Sequence, residues 1–600
     1  MSRTLSARRL HDGSSGSESS LQAASSFSDL PLLALPGLAS RVSIAGTSAS
    51  QNDLRAFFDT ADGHIEVDAM TVEGGLTPSL VLSTVGALAS ALMFGLNNAN
   101  MNTPAAAMRA SLGLPSSLPA GCAAGEAVQA QLIENDVTWS LIVSILCLGA
   151  LVGSASAAYL ADGWGRRAFL LHNSGLYAVA ALVGAAASAF PADASAADAS
   201  PAEGREEDPC STSRSMAAIL ILLLSRVLSG VACGGSTVVV PMYLGEISPA
   251  HLRGTLGSAF LLTAVAGMLL AQVLGLPPLL GSDDRWRLVL LAVLPPAALQ
   301  LLLLRPSLLE SPRWLLLRGR DEAARTTLAR LRGCRGGEVE TAELHQELAS
   351  MLPSPQGRPG GRRPASWPGD ASAARLLIDP SARRPLVLCA GLMMVQQFSG
   401  INNVFNYSST FLAQRGLSQQ ECALVALLMN SANVLVVLLS TGLMDRLGRK
   451  PLLAASLGGM AAASLLLTAA LLLGSVPLVV VAMVLFVLTF GVGLGPVVWL
   501  LPAELFPTKL RASAIATTTV VNWLANYVVG QLFLPLASWL GPLSFLPFAA
   551  VLAAGLLLAF SLPETRGRTL EEIEAYFAPR LKTGHSITAP LMPAAAWRGA

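Results

Sequence analysis

The chain has 600 residues, 52% of them hydrophobic and only 13% charged, with a net charge of +1. That is too little charged surface for a soluble protein of this size, and so even a balance gives no basic field for nucleic acid. With a mean hydropathy of +0.56, the composition implies an all-α integral membrane protein with the lipid bilayer as its partner.

Residues 1–75 are Ser-rich, polar and aperiodic, which predicts a disordered cytoplasmic tail. Arg3, Arg8 and Arg9 lie near its start, but Asp12, Glu18, Asp29, Asp53 and Asp59 speak against an acidic-poor transit peptide. Twelve apolar runs follow, at about 78–104, 137–160, 167–190, 216–246, 254–280, 286–306, 385–412, 420–444, 450–474, 476–502, 512–537 and 541–562. Each has roughly the 20 residues a membrane span needs. The chain therefore divides into a six-helix bundle at 76–306, a polar bridge at 307–384, a second bundle at 385–563 and a cytoplasmic tail at 564–600. Within the bridge, Asp321 to Arg332 and Glu338 to Leu352 are patterned as helices, and Pro353 to Asp370 reads as a Pro/Gly/Arg-rich linker.

Orientation follows from the basic residues. Arg166, Arg167, Arg253, Arg446, Arg449, Lys450, Lys509 and Arg511 share one set of connections, which predicts that both termini and the bridge are cytoplasmic. The plasma membrane is the expected location, with an organellar membrane as the alternative. None of the seven cysteines forms a metal-ligand pair, and the membrane segments hold no nucleophile–base pair. No metal, cofactor or enzymatic reaction is expected. Cys122 and Cys210 fall in predicted outer loops, where the sequence leaves a disulfide open. Nothing in the sequence sets the oligomeric state.

Charged motifs recur in the same order in both halves. Asp162-Gly-Trp-Gly-Arg166-Arg167 matches Asp445-Arg446-Leu-Gly-Arg449-Lys450, and Gly163 stands where the second copy has Arg446. Glu246 and Arg253 have the same spacing as Glu504 and Arg511, and Glu310-Ser-Pro-Arg313 is echoed by Glu564-Thr-Arg566. Acids and bases at matched helix ends predict a gating network that holds the halves together on the inner side.

The strings Pro241-Met-Tyr-Leu-Gly-Glu-Ile-Ser-Pro-Ala-His-Leu-Arg-Gly254, Glu310-Ser-Pro-Arg-Trp-Leu315, Gln396-Gln-Phe-Ser-Gly-Ile-Asn402, Asp445-Arg-Leu-Gly-Arg-Lys450 and Pro563-Glu-Thr-Arg-Gly-Arg-Thr-Leu570 carry a resemblance. From about Ser79 to Phe577 the chain resembles the sugar porter branch of the major facilitator superfamily, in particular the facilitative glucose transporters. The resemblance implies two pseudo-symmetric bundles of six helices with a hexose site between them.

A hexose has hydroxyls that donate and accept, which suits amides, and a C–H face that suits aromatic rings. Gln396, Gln397, Asn402 and Asn403 interrupt the seventh run, and Ser399-Gly400 between them marks a helix break. By resemblance Gln396, Gln397, Asn402, Asn433, Trp499 and Asn526 meet the sugar. Asn522 and Trp523 lie beside it, and Phe94 of the first run joins the candidate site. Three residues depart from the family pattern: Leu261 and Gly491 replace a Gln and a Glu, and Asn406 replaces the first Tyr of a pair kept only as Tyr407. The cluster Gly491-Val-Gly493-Leu-Gly495-Pro496 lacks the strand-then-helix setting of a nucleotide loop and reads as a place of bending and close packing.

Proton-coupled members carry an acid on the first helix near an Arg on the fourth. Here Arg226 is kept, but Asn97 stands where the acid would be, and an amide does not exchange a proton near neutral pH. The expected function is thus facilitative hexose uniport by alternating access, with glucose as the hexose that the resemblance implies. A proton-coupled symporter and a carrier of fructose, an inositol or a pentose stay open, as does a sugar sensor.

Overall fold

A computed structural model of the chain describes residues 76–115, 126–190, 214–334, 342–351, 380–413, 415–506, 508–568 and 570–577. The expected N-terminal tail, the Pro/Gly/Arg linker, Cys122 and Cys210 lie outside the described residues.

Every regular element among the described residues is helical. Nine helices there are long and apolar enough to cross a membrane. Two shorter apolar helices, Trp286–Leu302 and Leu546–Phe560, and one pair interrupted at Gly400 complete the twelve expected spans. We number the spans α1 (Pro78–Ala99), α2 (Glu126–Trp164), α3 (Arg166–Ala186), α4 (Met216–Ile247), α5 (Arg253–Leu274) and α6 (Trp286–Leu291, Leu294–Ala298 and a π turn at Leu299–Leu303). The second half comprises α7 (Pro380–Phe398 and Ile401–Ala413), α8 (Gln419–Leu447), α9 (Arg449–Leu472), α10 (Val476–Val492 and Leu494–Leu505), α11 (Thr508–Leu540) and α12 (Leu546–Phe560).

Local chemistry sets the helix ends. Thr77 caps α1 by accepting from the Leu80 N–H at 3.1 Å, with Pro78 in the first turn, where its missing donor costs nothing. Ser418 and Glu421 form a reciprocal capping box at the start of α8. In α7 the chain turns at Gly400 with φ +84°, and a Cβ there would lie 3.1 Å from the Phe548 ring, so glycine is required on both counts.

Lipid supplies no hydrophobic drive between helices, so close backbone approach has to hold the bundle together. Gly149 and Gly153 of α2 interdigitate with Gly230 and Gly234 of α4. A Cβ on Gly153 would sit 2.1 Å from the Val231 carbonyl oxygen, and one on Gly230 at 2.1 Å from that of Leu146. Gly95 of α1 meets α5 in the same way, at 2.0 Å from the Ala264 carbonyl oxygen.

The bridge folds onto the first half. Its Asp321–Arg332 helix ends at Gly333, Thr77 Oγ1 donates to the Leu331 carbonyl at 2.8 Å, and Arg332 donates to the Ile247 carbonyl at the end of α4 at 3.0 Å. A second bridge helix, Ala342–Met351, packs Leu344 and Leu348 with Trp314, Leu315 and Leu328. A short helix, Leu570–Phe577, lies in the stretch expected as a tail.

Candidate functional site

The amides of α7 converge with those of α11. Gln396 is 2% exposed, Gln397 5% and Asn522 2%, a burial that obliges each to find partners. Asn522 Nδ2 donates to Gln396 Oε1 at 2.8 Å, and Gln397 Nε2 donates to Asn522 Oδ1 at 2.9 Å. Asn402 Nδ2 donates to Gln397 Oε1 at 2.6 Å across the helix break. Gln396 Nε2 reaches the carbonyls of Leu494 and Gly495, at 3.0 and 3.2 Å. Those carbonyls begin the second piece of α10, which the glycine cluster frees by breaking the helix at Gly493. Trp499 follows Gly495 by four residues and so lies on the same face of α10.

Asn433 of α8 is buried, and its Oδ1 has no partner among the described residues. Gly491 lies beside it, and a Cβ at 491 would stand 2.1 Å from Val436 Cγ1. An acid there, as the resemblance implies, would require the Val436 side chain to move. Asn526 is buried one helical turn after Asn522. Phe94 enters from the first half and meets Trp523 edge-on, with ring centroids 6.3 Å apart. Asn403 lies beyond the break at Gly400, and its Nδ2 donates to the Val529 carbonyl of α11 at 3.5 Å, two turns on from Asn522.

The charged motifs assemble twice, once in each half. Arg166 binds Glu246 through two nitrogens, at 2.9 and 3.1 Å, and Asp162 at 2.8 Å. Arg449 binds Glu504 at 2.9 Å. Glu310 accepts the backbone N–H groups of Arg166 and Arg167 at the start of α3, and Glu564 accepts those of Arg449 and Lys450 at the start of α9. Each carboxylate sits on a helix N-terminus, where orphan donors and the dipole favour it. Gly165 and Gly448, with φ +100° and +92°, turn the chain into these helices.

The missing charge at Gly163 has a counterpart in backbone. Arg318 donates to the carbonyls of Asp162 and Gly163 at 2.7 and 2.8 Å, and Arg566 donates to that of Arg446. Arg167 donates to the Arg305 carbonyl at 3.0 Å, and Arg511 to that of Phe506 at 3.3 Å. Arg253 and Arg313 are exposed. Asp445 ends α8 in the matched position, its side chain outside the described set.

The two matched glutamates respond differently to their surroundings. Burial pushes the Glu310 carboxyl above the usual range, against backbone donation from Ser311, Arg167 and Arg166. Burial acts the same way on Glu564, but backbone donation from Arg566, Arg449, Lys450 and Thr565 outweighs it and holds the group below that range. A raised acid contributes stability that is present below its unfolded value and lost as pH rises through the folded one; a lowered acid does the reverse, losing its contribution as pH falls through the folded value. Between about pH 7 and the usual carboxylate pKa of about 4.3, the melting-temperature deficit of Glu564→Gln should therefore shrink, while that of Glu310→Gln grows. Thermal unfolding in detergent checks this, and parallel changes in the two variants contradict it.

Sequence reasoning missed the contacts that join the halves at the end away from the motifs. Asn102 donates to Ser408 Oγ at 2.9 Å and accepts the Ser409 N–H at 3.3 Å. Ser144 Oγ donates to Gln531 Oε1 at 3.1 Å. Polar residues at these helix positions were the available signal, but each partner lies hundreds of residues away.

Paired six-helix halves around buried amides define a polytopic membrane carrier of the major facilitator fold. A family model described as "Sugar (and other) transporter" matches residues 82–577, and the chain belongs to that family. It is 34% identical to mouse solute carrier family 2, facilitated glucose transporter member 4, over 84% of this chain and 91% of that one. It is 33% identical to facilitated glucose transporter protein 1 of Caenorhabditis elegans, over 74% and 82%. Among solved structures, the fold resembles the xylose transporter XylE from E. coli in a partially occluded inward open conformation, with a TM-score of 0.61 at 22% identity, covering 82% of this chain and 99% of that one. A proton:xylose symporter bound to 6-bromo-6-deoxy-D-glucose gives the same score at 25% identity, over 83% and 99%.

Proposed function

We propose that the chain is a facilitative hexose carrier, with glucose as its substrate, which works as a uniporter by alternating access. The observation that carries the uniport reading is the environment of Arg226. This buried cation of α4 donates to the Asn97 carbonyl at 2.9 Å, to Asn100 Oδ1 at 3.2 Å and to the Val143 carbonyl at 3.3 Å. Its partners are uncharged, and the Asn97 side chain turns to the Met93 carbonyl at 2.9 Å. A proton-coupled cycle needs a group that takes up and releases a proton, and an intramembrane acid beside this arginine is the usual means. The relatives named facilitated glucose transporters support the choice of sugar.

Gln396, Gln397, Asn402, Asn433, Asn522 and Asn526 bind the hydroxyls in this reading, and Trp499 and Phe94 pack on the ring. The site opens toward the motif end, because hydrogen bonds between the halves lie at the other end. The ion pairs Arg166–Glu246 and Arg449–Glu504 each join helices of one half in this state. When the site faces the other way, Arg253, Arg313 and Arg511 engage the acids across the halves. The motif end and both termini are cytoplasmic, and the protein resides in the plasma membrane. Radiolabelled glucose counterflow in proteoliposomes tests the proposal. Flux should saturate and stay the same whether or not an inward proton gradient is imposed.

A further inference from the structure

The amides of the site all come from the second half, on α7, α8 and α11. The first half faces them with rings. Phe94 of α1 and Phe260 of α5 stack with centroids 6.0 Å apart and planes 25° apart. Phe94 then meets Trp523 of α11 at 6.3 Å and 81°, so the three rings span the space between the halves. Trp523 follows Asn522, which is bonded to Gln396, and so ties this aromatic wall to the amide cluster. Its indole Nε1 is buried without a partner among the described residues, which leaves a donor at the edge of the wall. Leu261, next in the chain after Phe260, adds no polar group on α5.

We infer that Phe260 is a specificity-determining residue: with Phe94 it makes the α5 side of the sugar site apolar, so the carrier prefers a hexose that lacks one hydroxyl on the edge facing α5. The inference rests on the hexose reading above. A hydroxyl turned toward two ring faces gives up its bonds to water and gains none, whereas a C–H packs well on a ring face. Hydroxyls on the opposite edge meet donors and acceptors that would be left unpaired by their removal. Discrimination is thus opposite in sign on the two edges of the sugar.

The test is inhibition of radiolabelled glucose counterflow by glucoses deoxygenated at one carbon each, in proteoliposomes of the wild type, Phe260→His and Phe260→Leu. For the wild type, deoxygenation at one ring position should leave the inhibition constant unchanged or lower it, while the other analogues bind about tenfold worse than glucose. Phe260→His places a hydrogen-bonding ring on the same wall. The favoured analogue should then become about tenfold worse than glucose, with the other ratios unchanged. Phe260→Leu keeps the wall apolar and should keep the wild-type order. Equal losses for every analogue in the wild type, or a shift of all ratios together in Phe260→His, would show that Phe260 only packs. Absence of glucose counterflow in the wild type would remove the hexose reading, and this inference with it.

Discussion

Replacing Gln396 with alanine should lower kcat/KM for glucose about 30- to 100-fold while leaving the protein folded in detergent. Its side chain holds together three parts of the site: the Leu494 and Gly495 carbonyls of α10, Asn522 of α11 and the amide of Gln397. Truncation removes the bond from Asn522 to Oε1 and leaves two carbonyls at the α10 break without this donor. A net hydrogen bond is worth about 1 kcal/mol, and a buried polar group left unmade costs about 1–3 kcal/mol. A loss of about 2.0–2.7 kcal/mol in transition-state stabilisation corresponds to the stated range. The alanine leaves the glycine contacts of α2 and α4 untouched, so the melting temperature should fall by only a few degrees. Uptake kinetics beside a thermal melt separate the two effects, and a variant with wild-type uptake would place the sugar elsewhere.

The largest expected effect on folding belongs to Gly230→Val. Even the first carbon of the new side chain would stand 2.1 Å from the Leu146 carbonyl oxygen, 3.0 Å from the Ala150 amide nitrogen and 3.0 Å from Gly149 Cα. All three are backbone atoms, so no rotamer relieves the clash, and α2 and α4 must separate. Overpacking of this kind costs about 3 kcal/mol or more, and in lipid nothing but packing replaces the lost contact. The variant should show little monodisperse protein on size exclusion. Gly245→Ala, at a position of α4 where a Cβ meets nothing within 4 Å, should behave like the wild type. A monodisperse Gly230→Val protein with a normal melting temperature would contradict the account of the α2–α4 contact.

The twelve spans were legible because run length and hydropathy suffice in lipid, where the backbone must satisfy itself within each helix. The breaks were only partly so. Ser399-Gly400 marked the interruption of α7, since a left-handed residue needs glycine, but not the backbone partner beyond it, the Val529 carbonyl that Asn403 meets. The matched acids and bases were readable as a repeat. Their pairing within each half was not, because a repeat in sequence does not say which guanidinium meets which carboxylate in space. Glu310 and Glu564 show a further limit, since their partners are backbone N–H groups that no residue letter announces. The same reason hid the Leu494 and Gly495 carbonyls. Phe260 was hidden differently: in an apolar run, a phenylalanine facing the site and one facing lipid look the same.

Transport of glucose without a coupled proton is open to test by glucose counterflow in proteoliposomes. Vesicles loaded with unlabelled glucose should accumulate labelled glucose transiently, to the same peak with and without an inward proton gradient. Vesicles that hold no glucose inside should only equilibrate. Proton-driven accumulation above the external concentration in those vesicles would contradict the uniport assigned to Asn97 and Arg226.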